Sequence, residues 1–269
     1  LVVDLFPAER AALLELLQGL SPEAWAWPTV CAGWSVKDIA LHVWGDDVGL
    51  LSRTADFRFP AGNDFADWAA VLAFINEAND LWVRATRRLN PALLGKYLAL
   101  SGAEVAQFLA TVDLFALGEP VSWAGPEPAP VWFDVAREYT ERWLHQQHIR
   151  DAVARPGLKS RRWFGPVLDT FVRALPHTFR LVSAAPDTTV QLTISGEAGG
   201  VWSLRRAEAG WQLFQGEAPA PTATISMDQE VAWRCFSKGL SPAEAEARST
   251  FSGDRSLGRK VLETVSIIA

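Results

Sequence analysis

The stretch Arg137-Glu138-Tyr139-Thr140-Glu141-Arg142-Trp143-Leu144-His145-Gln146-Gln147-His148 holds two of the chain's four histidines and two carboxylates, at spacings of three, four and three residues. On a helix those spacings return Glu138, Glu141, His145 and His148 to a single stripe. The surrounding sequence predicts one long helix over 130–154, entered from a loop whose prolines Pro120, Pro126 and Pro128 cannot extend a helical hydrogen-bond ladder. A second histidine-bearing helix is predicted upstream. Ser35 followed by Val36-Lys37-Asp38 forms a Ser-x-x-Asp cap signature. The helix it opens runs to about Ser52, with Ile39, Val43 and Leu50 inward. His42 adjoins that apolar face, and Asp46 follows one turn later. An i, i+4 Glu–His pair on one helix with a histidine from another can hold a divalent metal inside a bundle: one backbone fixes two ligands, the third clamps across, and a fourth position stays open. Spacing alone leaves Glu138 and His148 undecided, and it equally describes a solvated Glu/His stripe without a metal.

Working outward, Pro7 suits a first helical turn, and Leu13, Leu14, Leu16, Leu17 and Leu20 give the segment 7–20 an apolar face. A third helix is expected over 64–89 from Phe65, Trp68, Leu72, Ile75 and Trp82, and a fourth over 91–117, broken near Ser101-Gly102. Together these make a bundle of four main helices and a short extra one. Beyond Arg155-Pro156-Gly157 the pattern changes. A helix over 162–175, halted by Pro176, leads into short alternating runs at 189–194, 201–205, 210–214 and 222–226, then a capped helix after Asp228 and a last helix over 255–264. This is a small α+β unit. The charge changes at the same point: residues 1–157 carry 12 basic and 20 acidic side chains, net −8, whereas 158–269 carry 13 and 11, net +2. The expected domains are therefore 1–157 and 158–269.

Composition narrows the class of function. The chain has 269 residues, 49% of them hydrophobic, which is enough for sizeable cores and excludes a disordered chain. The net charge of −6 disfavours a nucleic-acid-coating protein. No apolar run approaches the ~20 residues that span a bilayer, and the opening Leu1–Phe6 is too short, and Asp4, Glu9 and Arg10 too close, for a signal peptide. Cys31 and Cys235 form no CxxC pair and read as reduced thiols of a cytoplasmic protein. Cys31, with no neighbouring base visible in the sequence, is expected to serve packing, and Asp46 to be a surface carboxylate, with orientation of His42 as its other role.

Thr29-Val30-Cys31-Ala32-Gly33-Trp34-Ser35-Val36-Lys37-Asp38-Ile39-Ala40-Leu41-His42 resembles the opening motif of the mycothiol-dependent maleylpyruvate isomerase-like proteins, members of the wider DinB-like metal-binding bundle superfamily. The 137–152 segment resembles that family's Glu-x-x-x-His helix. The tail from Phe251-Ser252-Gly253-Asp254 through Leu257 and Leu262 is similar to its C-terminal domain, which has a sterol-carrier-protein-2-like fold. The fold class implied is a DinB-like four-helix bundle followed by a small α+β domain. The resemblance implies metal ligands His42, Glu141 and His145, a divalent metal that is usually zinc, and a low-molecular-weight thiol such as mycothiol as cofactor. His148 falls outside the implied ligand set. The implied reaction is addition of the thiol to an activated cis double bond, rotation, and elimination to the trans isomer. The family's C-terminal domain also supplies an arginine, and Arg234 in Trp233-Arg234-Cys235 is the match, a fixed guanidinium suited to a dicarboxylate. The partners expected are therefore a small-molecule substrate and a small thiol, with neither nucleic acid nor membrane.

Three functions compete on this reading. The first is a metal- and thiol-dependent isomerase or S-transferase. The second is a metal-dependent hydrolase of the same bundle superfamily. The third is a non-catalytic zinc-binding module, disfavoured because three protein ligands leave an open position that structural zinc sites close.

Overall fold

The computed structural model describes residues 1–53 and 68–266. It shows a helical N-terminal region followed by a sheet-containing domain, and the chain divides into two compact units: Leu1–Ala116 with Glu138–Gly157, and Leu117–Arg137 with Leu158–Ala269. Among the described residues no helix is long and apolar enough to cross a membrane.

The first unit is built from α1 (Phe6–Gln18), α2 (Val36–Leu51), α3 (Trp68–Thr86), α4 (Pro91–Thr111) and the greater part of α5 (Val131–Ala152). Its core gathers Leu13, Leu16 and Leu17 of α1, Val36, Ile39, Ala40 and Val43 of α2, Leu94 and Leu98 of α4, and Ile149 of α5. Two of these helices start where a side chain satisfies their free N–H groups. Ser35 and Asp38 form the full reciprocal capping box at α2, and Asn90 Oδ1 accepts from Leu93 N at 2.9 Å, ahead of Pro91, at α4.

Two expectations about helices are corrected. α4 runs unbroken through Ser101-Gly102, because both residues serve the packing of α1 and α2. Ser101 Oγ donates to Asp47 at 2.6 Å, and a Cβ at Gly102 would lie 2.6 Å from Arg10 Cγ. The helix expected to continue to 117 instead ends at Thr111. Asp113 Oδ1 accepts from Phe115 N, turning the chain into β1 (Leu117–Pro120), which pairs with β2 (Pro128–Pro130). Of the helix expected over 64–89, positions 64–67, Phe65 included, lie outside the described residues. Where α3 is described, Gly45 on α2 admits Trp82 so closely that a Cβ would come within 2.6 Å of the indole nitrogen, which donates to Leu41 O.

The second unit contains β1, β2, the first turns of α5, α6 (Arg161–Val172), α7 (Leu175–Thr178), β3 (Thr189–Ser195), β4 (Gly200–Ala207), β5 (Gly210–Gln215), β6 (Ala223–Asp228), α8 (Gln229–Phe236), α9 (Pro242–Glu246), β7 (Ser249–Gly253) and α10 (Arg255–Lys260). The strand order is β5-β4-β3-β6-β7, with β3 and β6 parallel and the other pairs antiparallel. Val190, Leu192 and Ile194 face Ala223, Ile225 and Met227 across the parallel pair, so alternation buries one face of both central strands. Pro176 sits in the first turn of α7, where a missing N–H costs nothing, rather than halting a longer helix. The helix expected over 255–264 tightens into a 3-10 turn at Val261–Glu263.

Candidate metal centre

α2 and α5 bring His42, Asp46 and His145 together, each with a ligand atom within 4.8 Å of the others, and Glu141 reaches this cluster from the His145 side. His42 Nε2 and His145 Nε2 lie 3.1 Å apart, with ring centroids 4.5 Å apart and planes at 87°. Glu141 Oε2 stands 3.7 Å from His145 Nε2, and Asp46 Oδ2 stands 3.4 Å from His42 Nε2. Asp46 is thus no plain surface carboxylate. It approaches the same nitrogen that meets His145, so it adds a carboxylate to the cluster instead of orienting the far side of the ring. The Trp34 ring leans over His42 at 5.0 Å between centroids.

The donor set fits a divalent cation. A tetrahedral ion with metal–nitrogen bonds of about 2.0–2.1 Å keeps its ligand atoms about 3.3 Å apart, close to the separation of the two Nε2 atoms. Ligating imidazoles must be neutral, and here they are kept so. Burial, reinforced by the Arg142 guanidinium, pushes His42 down to about 4. Burial, with His42, His148 and Arg142 nearby, holds His145 well below the usual histidine range. A neutral imidazole pair flanked by two carboxylates is an electrostatic seat for a cation.

Next to the cluster lies an ionic core that was not expected from the sequence. Asp47 and Arg142 are completely enclosed, and Arg10 and Glu138 nearly so. Arg10 donates Nη1 and Nη2 to the two Asp47 oxygens at 2.6 and 2.9 Å, and Arg142 donates Nη2 to Oδ1 at 3.0 Å. Arg142 Nη1 also donates to Glu138 Oε2 at 2.7 Å, while Arg53 reaches Oε1 at 2.9 Å. Burial works against the charge on Arg142, and Glu138 and Asp47 more than offset it, so the guanidinium stays ionised. Glu138, undecided on spacing, therefore has both oxygens committed to arginines. The signal was present in the sequence as charge in phase with apolar stripes: Asp47 follows Val36, Ala40 and Val43 around α2, and Arg142 follows Val135 and Tyr139 around α5.

Cys31 and His148 form a second contact beside the first. Cys31 Sγ lies 3.3 Å from His148 Nδ1, so the thiol has a base next to it, contrary to the expectation from sequence; it also packs against the bundle core. In the second unit, Arg234 stands on α8, bonded to Glu230 and stacked over the Trp233 ring at 4.2 Å. The hydrogen bonds of Glu230 from Trp233, Arg234 and Lys159 outweigh its burial and hold its carboxyl below the usual range.

These features define a mixed helical and sheet protein with a histidine–carboxylate cluster inside its helical unit. The chain belongs to the mycothiol maleylpyruvate isomerase family: the family's N-terminal domain profile matches residues 6–150. Uncharacterised proteins from two strains of Mycobacterium tuberculosis are 26% identical over 211 residues, covering 77% of both this chain and theirs. Among solved structures, a histidine-to-alanine mutant of mycothiol-dependent maleylpyruvate isomerase overlays at TM-score 0.53 and 12% identity, covering 93% of this chain and 91% of that one. A second structure of that isomerase gives 0.50 at 12% identity, covering 86% and 85%. At that identity the likeness is one of fold.

Proposed function

We propose that this protein is a metal- and thiol-dependent isomerase or S-transferase, with His42, Glu141 and His145 holding a divalent cation, zinc by the chemistry of the donors. The observation that carries this reading is the 3.1 Å approach of two neutral, buried imidazole nitrogens with carboxylates on either side. A cation bound there would supply a position at which a thiol is deprotonated at neutral pH, where a free thiol of pKa ~8.5 is mostly protonated. The chain's own residues do the rest. Burial keeps His42 and His145 unprotonated, so no proton competes for the seat. Arg142 is held in place by Asp47 and Glu138, and the Trp34 ring packs beside His42. The reaction class that fits is thiolate addition to an activated double bond, rotation about the new single bond, and elimination. The pKa gain alone is worth only tens-fold, so most of the acceleration must come from holding thiolate and double bond together. Arg234 is the proposed group for a substrate carboxylate. A guanidinium has five donors and can share itself between Glu230 and an incoming anion.

The test is calorimetric titration of the zinc-loaded protein with mycothiol, bacillithiol and glutathione, repeated on Glu141→Ala, with zinc content measured alongside. The reading expects one thiol to bind the loaded wild type and not the variant. If none binds, or all bind the variant equally, a hydrolytic role replaces the thiol mechanism.

A further inference from the structure

We propose that Cys31, His148 and His145 form a second, sulfur-containing ligand set that takes a thiophilic divalent cation, distinct from the set completed by His42 and Glu141. One ligand atom from each of the three residues falls within 4.8 Å of the others. The pairwise contact between Cys31 Sγ and His148 Nδ1 is 3.3 Å. His148 follows His145 by one helical turn, with the two rings at 5.4 Å between centroids, so α5 fixes both nitrogen donors.

The sulfur donor is fixed just as firmly. Cys31 opens a tight turn in which Trp34 N donates to Cys31 O at 3.0 Å, and Gly33 takes φ +77°. That conformation at the third position of a turn belongs to glycine. Thr29 Oγ1 then ties the turn at both ends, accepting from Cys31 N and donating to Trp34 O at 2.8 Å. The thiol is therefore presented to α5 by a braced loop, at the rim of the bundle core, where an ion can reach it.

A further observation points to a ligand. His145 Nδ1 is buried and has no hydrogen-bond partner, whereas Nε2 of the same ring is turned to His42. A metal-bound histidine ordinarily donates its second N–H to a carboxylate or carbonyl. Here that nitrogen has no protein partner among the described residues and stands open to ligation. Two nitrogens and one thiolate suit a soft or borderline cation. On binding, the Sγ–H bond breaks, the sulfur–metal bond forms, and the proton leaves to solvent. The two sets share only His145, so this inference stands apart from the zinc reading.

Cadmium is the probe, titrated into the zinc-free full-length protein under a non-thiol reductant and followed by sulfur-to-cadmium charge-transfer absorption. The wild type is expected to develop the band with saturation, and Cys235→Ser to keep it. Cys31→Ser should lose it, and His148→Gln should weaken cadmium binding at least about tenfold. His42→Ala should retain the band. A wild type without the band, or a Cys31→Ser variant that keeps it, overturns the inference. Zinc held at full occupancy by a His42→Ala, Cys31→Ser double variant would overturn only the His42–Glu141–His145 assignment.

Discussion

Asp47 is fully buried and is surrounded by two guanidinium groups and a hydroxyl. Its carboxyl is held below the usual range because Arg10 and Arg142 together outweigh the cost of burial. Such an arrangement adds little net stability while intact, yet is costly to break, because the survivors keep their charge without a counter-ion. Asp47→Asn should therefore lower unfolding free energy by about 3–5 kcal/mol, measured by denaturant titration. A loss below about 1 kcal/mol would mean that the arginines find other partners. His42 is a contrasting case. It gives up protonation to remain a donor, so His42→Ala on a Cys31→Ser background should abolish stoichiometric zinc, and His42→Ala alone should cost less stability than the Asp47 variant, read from metal analysis and melting on one preparation.

At the level of elements, α4 separates two kinds of glycine. Gly95 has nothing within 4 Å of an added Cβ, whereas Gly102 would drive one into Arg10 Cγ and, at 2.9 Å, Nη1. Alanine in a helix interior ordinarily gains up to about 1 kcal/mol over glycine. Gly95→Ala should thus raise the melting temperature, and Gly102→Ala should lower it by displacing Arg10 from Asp47. Equal effects in the two variants would contradict the packing described for α4.

The entrance of α2 gives a pH prediction. Asp38 is buried, which alone would raise its pKa, but Arg87 and Ser35 outweigh that and hold it below the usual range. With the folded value depressed, its contribution is full above the ordinary aspartate pKa near 3.9 and fades as pH falls through the folded value. Asp38→Asn should cost about 1–2 kcal/mol near neutrality, and the gap from wild type should close in acid. This helix start is legible in the sequence because the cap is local: Ser35 and Asp38 announce it in four residues. The His42–His145 pairing is reachable because Glu141 and His145 sit one turn apart on α5 and His42 adjoins the apolar face of α2, and the family resemblance favours joining them. The ionic core is hidden because its partners come from α1, α2 and α5, and a charge on an apolar stripe shows its counter-ion only once the helices are packed. β7 is hidden too, since an edge strand such as Ser249-Thr250-Phe251-Ser252-Gly253 buries too little to alternate.

For the molecule as a whole, the two compact units are interleaved along the chain. Within the second unit, Val121, Trp123 and Phe133 cluster with Ala174, and Arg173 lies over the Trp132 ring at 4.7 Å. A fragment ending at Gly157 would keep those aromatic residues and lose their cover. It should bind a hydrophobic dye and melt with reduced cooperativity relative to the full chain. A fragment that melts as sharply, without binding dye, would show that Leu117–Arg137 needs nothing downstream.

α5 passes from one unit to the other between Arg137 and Glu138, without a break in the helix. Leu117–Arg137 belongs with the chain beyond Gly157, while Glu138–Gly157 belongs with the chain ahead of Leu117, so no single cut in the gene separates the two units. A recombination breakpoint after Ala116 strands the helix that carries His145, and one after Gly157 strands the aromatic segment. A lineage can therefore exchange its sheet unit by simple crossover only if the bundle's own upstream sequence changes with it. In this architecture the block that is inherited and the block that folds are different stretches of chain.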